Sequence, residues 1–376
     1  MLDPLSERQA FMILNDLPNI GPITLNRLLQ ELGGDPRDIL TADQRRLESV
    51  RGVGPETSAA LLNWRAHFDL AREEERLVQA GAVFITTRDE GYPKMLKEIH
   101  DPPIGLYRKG GYIFGQPCIA VVGSRRTTLY GQSVAKKLGA DLAQMGFCVV
   151  SGLARGIDTA AHEGALSVGG KTVAVLGCGL DIVYPPENLG LYRRIAETGA
   201  VLSEFPFGRK ADKQTFPMRN RVVSGISEGV VVVESDVSGG AMITARFAGE
   251  QGRLIFAVPG RIDQATSAGC HQLIRDGATL LTSVDDILNE LSYLDGLRPK
   301  AITTEGEPSV LEQLLPQLDE KERRVFDSFK GGAMLSIDAL TTATGFAAHE
   351  ISAVLMLLEL KKLVTKRADG TFEARS

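Results

Sequence analysis

The middle of the chain alternates short apolar runs with amphipathic segments. The apolar runs are CIAVVG (118–123), FCVVSG (147–152), TVAVLG (172–177), GVVVVES (229–235) and LIFAVPG (254–260). Helical patterns such as GQSVAKKLGADLAQMG and TAAHEGALSVGG separate them. Near-continuous apolar strands between helices are typical of a parallel sheet that is covered on both faces. The pattern predicts a doubly wound α/β domain, whose ligands bind at the carboxyl ends of the strands.

The residues on either side of this domain have different patterns. In residues 1–80, two Gly-Pro pairs each precede an amphipathic run, and the second pair lies in the Gly-hydrophobic-Gly pattern of a helix-hairpin-helix. Such a hairpin can offer backbone N–H groups to a DNA phosphate, but acidic residues outnumber basic ones here, which favours a packing or protein-contact module. We assign residues 81–294 to the α/β domain.

The C-terminal part starts with a polar segment, residues 295–308, which we interpret as a linker. Helical patterns follow at 309–329, 336–344 and 347–363, and VTKRADGTFEAR predicts a hairpin that turns at Asp369-Gly370. Three helices and a hairpin predict a winged-helix domain over residues 309–376. Its slight excess of acidic residues favours protein contacts over DNA binding.

Composition narrows the class of protein. The chain has 376 residues, 43% hydrophobic and 24% charged, with a net charge of −5, which excludes a disordered, collagen-like or coiled-coil protein over most of its length. No run reaches the roughly 18 apolar residues of a membrane helix, and the N-terminus lacks a cleavable signal pattern. The four cysteines form no CxxC pair, so we expect a cytoplasmic protein without a zinc or disulfide framework.

Several predicted strands end in loops that suit an anion. The first strand leads into GSRRTT (123–128), where glycine allows close approach and two arginines suit phosphates. The second ends in SGLARGID (151–158), where we interpret Asp158 as a helix cap. The third ends in an isolated GxG, weak evidence for a dinucleotide, and the strand at 229–235 leads into the anion-compatible SDVSGGA.

The segment EFPFGRKADKQTFPMRNR (204–221) mixes cations with aromatic rings. Cations neutralise phosphates and a ring stacks on any base, so the segment favours single-stranded nucleic acid. The alternative is a core-packed Phe-Pro pair beneath a solvated basic loop, with Arg221 in an internal ion pair.

The chain shows no catalytic or metal-binding motif. The five histidines are scattered, and we interpret His162 as a surface or capping residue. No HExxH, G-x-S-x-G or Walker A motif is present. We therefore predict no enzyme, metal or cofactor.

These segments together resemble the DNA-processing protein A family (DprA/Smf). The resemblance rests on GSRRTT, SGLARGIDTAAHEGAL, AVLGCGLDIVYPPEN, SEFPFG, FPMRNRVVSGIS, SGGAMITARFA and AVPG, in order over about residues 80–290. It implies an extended Rossmann-like domain that binds single-stranded DNA, flanked by a SAM-like or helix-hairpin-helix N-terminal module and a winged-helix domain. It also implies a homodimer that protects incoming DNA and helps to load the RecA recombinase in natural transformation and recombination.

The loops and the resemblance together give a set of predicted site residues. Arg125 and Lys213 are expected to be the main electrostatic contacts, and Phe216 to wedge between bases. The full DNA-binding set is Gly123, Ser124, Arg125, Arg126, Ser151, Gly152, Lys213, Phe216, Pro217, Arg219, Asn220, Arg221, Gly239 and Gly240. For the dimer contact, the resemblance points to His271, Leu273 and Ile274, although core packing explains the two apolar residues almost as well.

Two other functions remain open from the sequence. The domain also resembles, distantly, nucleotide phosphoribohydrolases with a PGGxGTxxE segment, but SGGAMITARFAGE lacks the Gly-Thr-x-x-Glu continuation, which argues against hydrolysis. The other alternative is a small-nucleotide-sensing module, against which the basic, Phe-rich segment favours a polymer.

Overall fold

The computed structural model describes residues 5–294, 318–329, 335–361, 363–366 and 370–374. The chain divides into two compact units, Met1–Lys300 and Ala301–Ser376. The helices of the first unit are α1 Glu7–Asp16, α2 Pro22–Leu32, α3 Pro36–Thr41, α4 Gln44–Glu48, α5 Pro55–Leu62, α6 Trp64–His67, α7 Leu70–Ala80, α8 Lys94–Lys97, α9 Leu129–Gln144, α10 Ile157–Ser167, α11 Leu189–Thr198, α12 Thr215–Ile226, α13 Gly240–Glu250, α14 Ala268–Arg275 and α15 Val284–Glu290.

A nine-stranded sheet forms the centre of this unit. Its strands are β1 Ala82–Thr86, β2 Gly105–Lys109, β3 Cys118–Val122, β4 Cys148–Ser151, β5 Thr172–Leu176, β6 Ala200–Ser203, β7 Gly229–Val232, β8 Leu254–Ala257 and β9 Thr279–Leu280. Their order is β1-β2-β6-β5-β4-β3-β7-β8-β9, and the strands from β6 to β9 are parallel. The predicted doubly wound sheet is confirmed, with its five predicted strands at β3, β4, β5, β7 and β8.

The direction of winding reverses between β3 and β7. From β3 the chain moves through β4 and β5 to β6, and it then returns to place β7 on the opposite side of β3. In register, Ala120 of β3 pairs with Val150 of β4 on one side and with Val230 of β7 on the other. Loops on the two sides of such a reversal diverge and leave a crevice at the carboxyl ends of the strands.

Two glycines bring α9 and α10 into close contact behind this crevice. A Cβ atom on Gly139 would lie 2.3 Å from the Ala161 carbonyl oxygen, and one on Gly164 would lie 2.0 Å from that of Lys136. Only glycine allows the two backbones to approach this closely. The contact fixes the two helices that follow β3 and β4, and so fixes the loops that lead into them.

The N-terminal helices α1–α7 pack against the antiparallel edge of the sheet. One apolar core includes Phe11 of α1, Leu77 of α7, Phe84 of β1 and Tyr107 of β2. The Tyr107 ring also contacts Phe84, with ring centroids 4.9 Å apart. Residues on both sides of the predicted boundary between positions 80 and 81 therefore share one continuous core. The division of this unit into two domains remains a prediction.

Asp16, at the end of α1, is expected to make this fold less stable as the pH rises. Burial and the nearby Glu73 carboxylate raise the pKa of Asp16 from 3.8 to about 6 in the folded protein. The folded state therefore holds this proton more tightly than the unfolded chain, and stability present below pH 3.8 is lost as the pH rises through about 6. We expect Asp16→Asn to raise the thermal denaturation temperature at pH 8 and to leave it unchanged at pH 3.5; equal shifts at both would contradict this.

The second unit has the helices and hairpin of a winged helix. Its helices are α16 Glu320–Asp327, α17 Ile337–Thr344 and α18 Ala348–Leu360, and its antiparallel strands are β10 Val364–Lys366 and β11 Phe372–Ala374. The predicted winged-helix fold is confirmed. The predicted linker 295–308, residues 309–317 of the first predicted helix, and Asp369 of the predicted turn lie outside the described residues.

No single helix within the described residues is long and apolar enough to span a membrane. The helices α17 and α18 reach that length and composition only when taken together, and they meet at an angle of 107°.

Candidate functional site

A cleft of about 590 Å³ lies at the reversal between β3 and β7. It is lined by the loops that follow β3, β4 and β7 and by the first turns of α12 and α13. Most of the predicted DNA-binding residues line it, namely Gly123, Ser124, Arg125, Arg126, Phe216, Pro217, Arg219, Asn220, Gly239 and Gly240. Thr244, Thr266 and Asp236 also contribute, and they were not in the predicted set.

The buried Glu234 holds the GSRRTT loop in place. Its carboxylate accepts hydrogen bonds from the hydroxyls of Thr127 and Thr128, at 2.5 Å each, and from the Thr128 N–H at 2.9 Å. Its carbonyl oxygen accepts from the Ser124 N–H at 2.7 Å. Glu234 is only 3% exposed, so these bonds are shielded from water. The loop is thus a fixed platform, and Arg125 extends from it as an exposed side chain.

An aromatic pair forms one wall of the cleft. The guanidinium carbon of Arg125 lies 4.8 Å from the centre of the Phe216 ring, a cation–π contact. On another side, the ring centroids of Phe216 and Tyr184 are 5.9 Å apart. Tyr184 is exposed and lines a narrow pocket beside the cleft together with Phe216. Tyr184 was not among the predicted residues, although it lies in the AVLGCGLDIVYPPEN segment and directly precedes two prolines.

Arg219 forms the floor of the cleft and is only 6% exposed. One of its terminal nitrogens lies 3.8 Å from the Asp158 carboxylate, and its Nε has no hydrogen-bond partner in the described protein. A Cβ atom on Gly152 would lie 1.1 Å from the Arg219 Nη1, so only glycine leaves room for this side chain. Burial lowers the pKa of Arg219, Asp158 opposes this effect, and the positive charge of Arg125 lowers the pKa further. A buried guanidinium with open donors suits an anionic ligand.

Asp158 organises the loop that follows β4. Its carboxylate accepts hydrogen bonds from the N–H groups of Gly152, at 3.1 Å, and Ala154, at 3.3 Å. The expectation that it caps a helix was wrong, because it lies in the first turn of α10 and Gly156 is the N-cap. Burial raises the pKa of Asp158, and Arg219 partly opposes that effect. The same loop holds Leu153 in the left-handed region, at φ 57°.

Four predicted contacts lie outside the cleft lining, and one of them, Gly152, lines the narrow pocket beside it. Arg221 is buried, forms an ion pair with Glu204 and donates a hydrogen bond to the Asp101 carbonyl oxygen at 2.5 Å. Its positive charge is therefore compensated inside the protein. The Ser151 hydroxyl is also buried and donates to the Val121 carbonyl oxygen at 2.7 Å. Lys213 is exposed on the segment that leads into α12. For Arg221 and Ser151, burial and internal partners contradict direct contact with a ligand.

Three other candidate side chains, those of Phe205, Phe207 and His162, are buried. Phe205 and Phe207 are core residues, as the alternative interpretation of that segment expected. His162 is fully buried rather than a surface residue; its Nδ1 lies 2.6 Å from the Thr172 hydroxyl, and burial lowers its pKa to about 3. Among the described residues, no group of three or more His, Cys, Asp or Glu side chains could hold a metal ion.

The predicted dimer residues lie on α14. Leu273 is buried in the core, Ile274 is half-buried against it, and the His271 Nε2 lies 3.0 Å from the Gly260 carbonyl oxygen. Their role in a dimer remains a prediction.

Sequence comparisons identify relatives along the whole chain. Residues 83–292 match the family model described as DNA recombination-mediator protein A, and residues 308–370 match the DprA winged helix domain. The chain is 31% identical over 401 residues to Protein Smf of Synechocystis sp., covering 98% of this chain and 99% of that protein. It is 45% identical over 206 residues to DNA processing protein DprA of Streptococcus pneumoniae, covering 54% and 73%.

Two solved structures share the fold. The X-ray structure of DNA processing protein A from Streptococcus pneumoniae matches with a TM-score of 0.66 and 34% identity, covering 75% of this chain and 97% of that one. A structure that describes the single-stranded DNA binding mode of DNA processing protein A from Helicobacter pylori matches with a TM-score of 0.51 and 32% identity, covering 56% and 96%. The predicted family is confirmed.

Proposed function

Because this chain belongs to the DNA recombination-mediator protein A family, we propose that it binds single-stranded DNA in the cleft between β3 and β7. The observation that carries this proposal is the convergence of Arg125, Phe216 and Arg219 on one open space. Guanidinium groups neutralise phosphates, and an aromatic ring stacks on a base without regard to sequence. The relative from Helicobacter pylori, which is described with a single-stranded DNA binding mode, supports the proposal.

Each part of the cleft has a role in this proposal. Arg219 and Arg125 contact phosphates, and Phe216 stacks on a base beside Tyr184. At the start of α13, Gly239 and Gly240 line the cleft and, because they have no side chains, leave room for the strand beside Asp236. The exposed Lys213, on the segment that leads into α12, contributes a solvated positive charge that attracts the DNA backbone. Ser151 and Arg221 support the fold without contacting DNA.

The resemblance extends the proposal to assembly. We propose a homodimer that forms through His271, Leu273 and Ile274, protects incoming DNA and helps to load the RecA recombinase on the bound strand. The N-terminal helices and the winged helix would serve mainly protein contacts. Sedimentation of Ile274→Glu tests the dimer: a folded variant that sediments as a monomer is expected, and one that stays dimeric would contradict the assigned surface.

The phosphoribohydrolase alternative gains no support from the site. The glutamate in SGGAMITARFAGE is Glu250, at the end of α13, where its carboxylate lies 3.6 Å from Arg246 on the same helix. Both side chains are well exposed, and neither lines the cleft.

Single-stranded DNA binding is expected to be salt-sensitive and to weaken when two cations are removed. Fluorescence anisotropy of a labelled oligonucleotide at two salt concentrations, with duplex DNA as competitor, measures this directly. For Arg125→Ala with Lys213→Ala, the slope of log K against log salt should fall by about 1.4, which corresponds to two phosphate contacts on a single strand. Arg193→Ala, on the exposed surface of α11, is the control. An unchanged affinity and slope for the double variant would refute the assigned contacts.

A further inference from the structure

The charges that line the cleft are divided between its two sides. The first turns of α12 supply Arg219 and Phe216 on one side, where the Asp158 carboxylate lies 3.8 Å from Arg219, and the loop after β3 supplies Arg125 in the middle. The opposite side, formed by the loop after β7, supplies Asp236, a carboxylate that forms no ion pair among the described residues. A carboxylate repels phosphate and would weaken a site that served the DNA backbone alone. Its presence indicates that this side of the cleft contacts another part of the nucleotide.

The Asp236 carboxylate is oriented and has an open acceptor. One oxygen, Oδ1, accepts hydrogen bonds from the N–H and the hydroxyl of Ser238, at 2.8 and 2.9 Å. In the part of the chain that the structure describes, no hydrogen bond or ion pair reaches the second oxygen, Oδ2. Asp236 is exposed, and the Ser238 contacts restrict its side chain, so Oδ2 is a solvent-facing acceptor at the cleft without a protein donor among the described residues.

The spacing of the strands sets the distance between the two sides. Strand β3 lies between β4 and β7, so the loops that follow those two strands are separated by two strand spacings, about 10 Å. An extended nucleotide whose phosphate lies at Arg219 can therefore direct its base across the cleft toward Asp236. Phe216, beside Arg125, offers a ring to the nucleotide between these ends.

We propose that Asp236 forms a base subsite that accepts a hydrogen bond from the exocyclic amino group of cytosine or adenine. Cytosine N4 and adenine N6 are donors, whereas the corresponding thymine O4 is an acceptor that a carboxylate repels. The cleft therefore selects amino-bearing bases over thymine at one position. This inference rests on the proposed binding of single-stranded DNA, and it adds a base preference that stacking and phosphate contacts do not supply.

The sharpest test compares oligonucleotides of 5-methylcytosine and of thymine. The two bases share the ring methyl group and differ at the exocyclic position and the adjacent ring nitrogen, so shape and stacking are closely matched. We expect the wild-type protein to bind the 5-methylcytosine strand about tenfold more tightly, the effect of one charge-assisted hydrogen bond. In Asp236→Asn the ratio should fall below about twofold, mainly because thymine binds better, since an amide can donate to O4.

The control is Asp285→Asn, which removes an exposed carboxylate on α15 outside the cleft and should keep the tenfold ratio. If the wild-type protein binds both strands equally, the base subsite is refuted and DNA binding stands. If Asp236→Asn tightens binding of both strands by the same factor, Asp236 acts only as a repelling charge and the inference is also refuted. Failure to bind either strand at low salt would instead refute the proposed function.

Discussion

Replacing Arg219 by methionine is expected to weaken binding of single-stranded DNA by about 100-fold, a loss of nearly 3 kcal/mol. The Arg219 guanidinium is already buried in the free protein, and its Nε has no partner there. A phosphate that reaches it gains charge-assisted hydrogen bonds in a shielded environment, and the protein has little left to dehydrate. Exposed Arg125 is solvated before binding, so Arg125→Ala should cost only about tenfold.

Two further variants separate the ligand contact from the structural role of Arg219. Arg219→Lys keeps a charge but loses the planar fork of donors, so its affinity should fall while its salt slope is retained. Arg219→Met with Asp158→Asn removes both buried charges and so avoids leaving the Asp158 carboxylate without its nearby cation. Anisotropy and thermal denaturation should be measured on each. If the folded double variant binds as tightly as the wild type, Arg219 serves only as a partner of Asp158.

The loops of the site were predictable because their position follows from the sheet. An apolar run that ends in Gly123-Ser124 must place that loop at a strand end, and the carboxyl ends of parallel strands lie at one edge. The loops after β3, β4 and β7 therefore converge once the doubly wound pattern is recognised. The position of a loop does not determine which side chains are buried, so Ser151, the last residue of β4, was wrongly included.

Arg219 and Arg221 illustrate the limit of reasoning from charge density. Both occur in the same basic segment, but they lie two positions apart on α12, about 200° around the helix axis. Arg219 therefore faces the cleft, whereas Arg221 meets Glu204 and Asp101 inside the protein. The helical period could have shown that only one of them faces the ligand. Which one does so depends on packing against the sheet.

The residues that hold the loops in place could not be predicted. Glu234 bonds to Thr128 across 106 positions, and the Asn188 side chain donates to the Leu153 carbonyl oxygen across 35. Neither pair leaves a local pattern in the sequence, because each depends on which strands are neighbours in the sheet. In the sequence, Glu234 directly follows an apolar run, as any polar residue at the end of a strand does.

Glu234→Ala is expected to destabilise the first unit by about 3–5 kcal/mol. The change removes the acceptor of two hydroxyls and one N–H, leaves those half-buried donors without it, and opens a space where the carboxylate lay against Gly131. For a unit of this size, the thermal denaturation temperature should fall by about 10 °C. Glu250→Ala is the matched control, because its exposed pair with Arg246 should contribute less than about 1 kcal/mol.

The same variant links the stability of the loop to its function. Where Glu234→Ala is still folded, at low temperature, the GSRRTT loop loses its anchor and Arg125 no longer has a fixed position over Phe216. Its affinity for single-stranded DNA should then fall by up to about tenfold, because a mobile side chain must be ordered on binding. Denaturation followed by circular dichroism and anisotropy on the same preparation test both effects. Wild-type stability in Glu234→Ala would show that the loop holds its conformation without this carboxylate, and the account of the cleft as a fixed platform would fail.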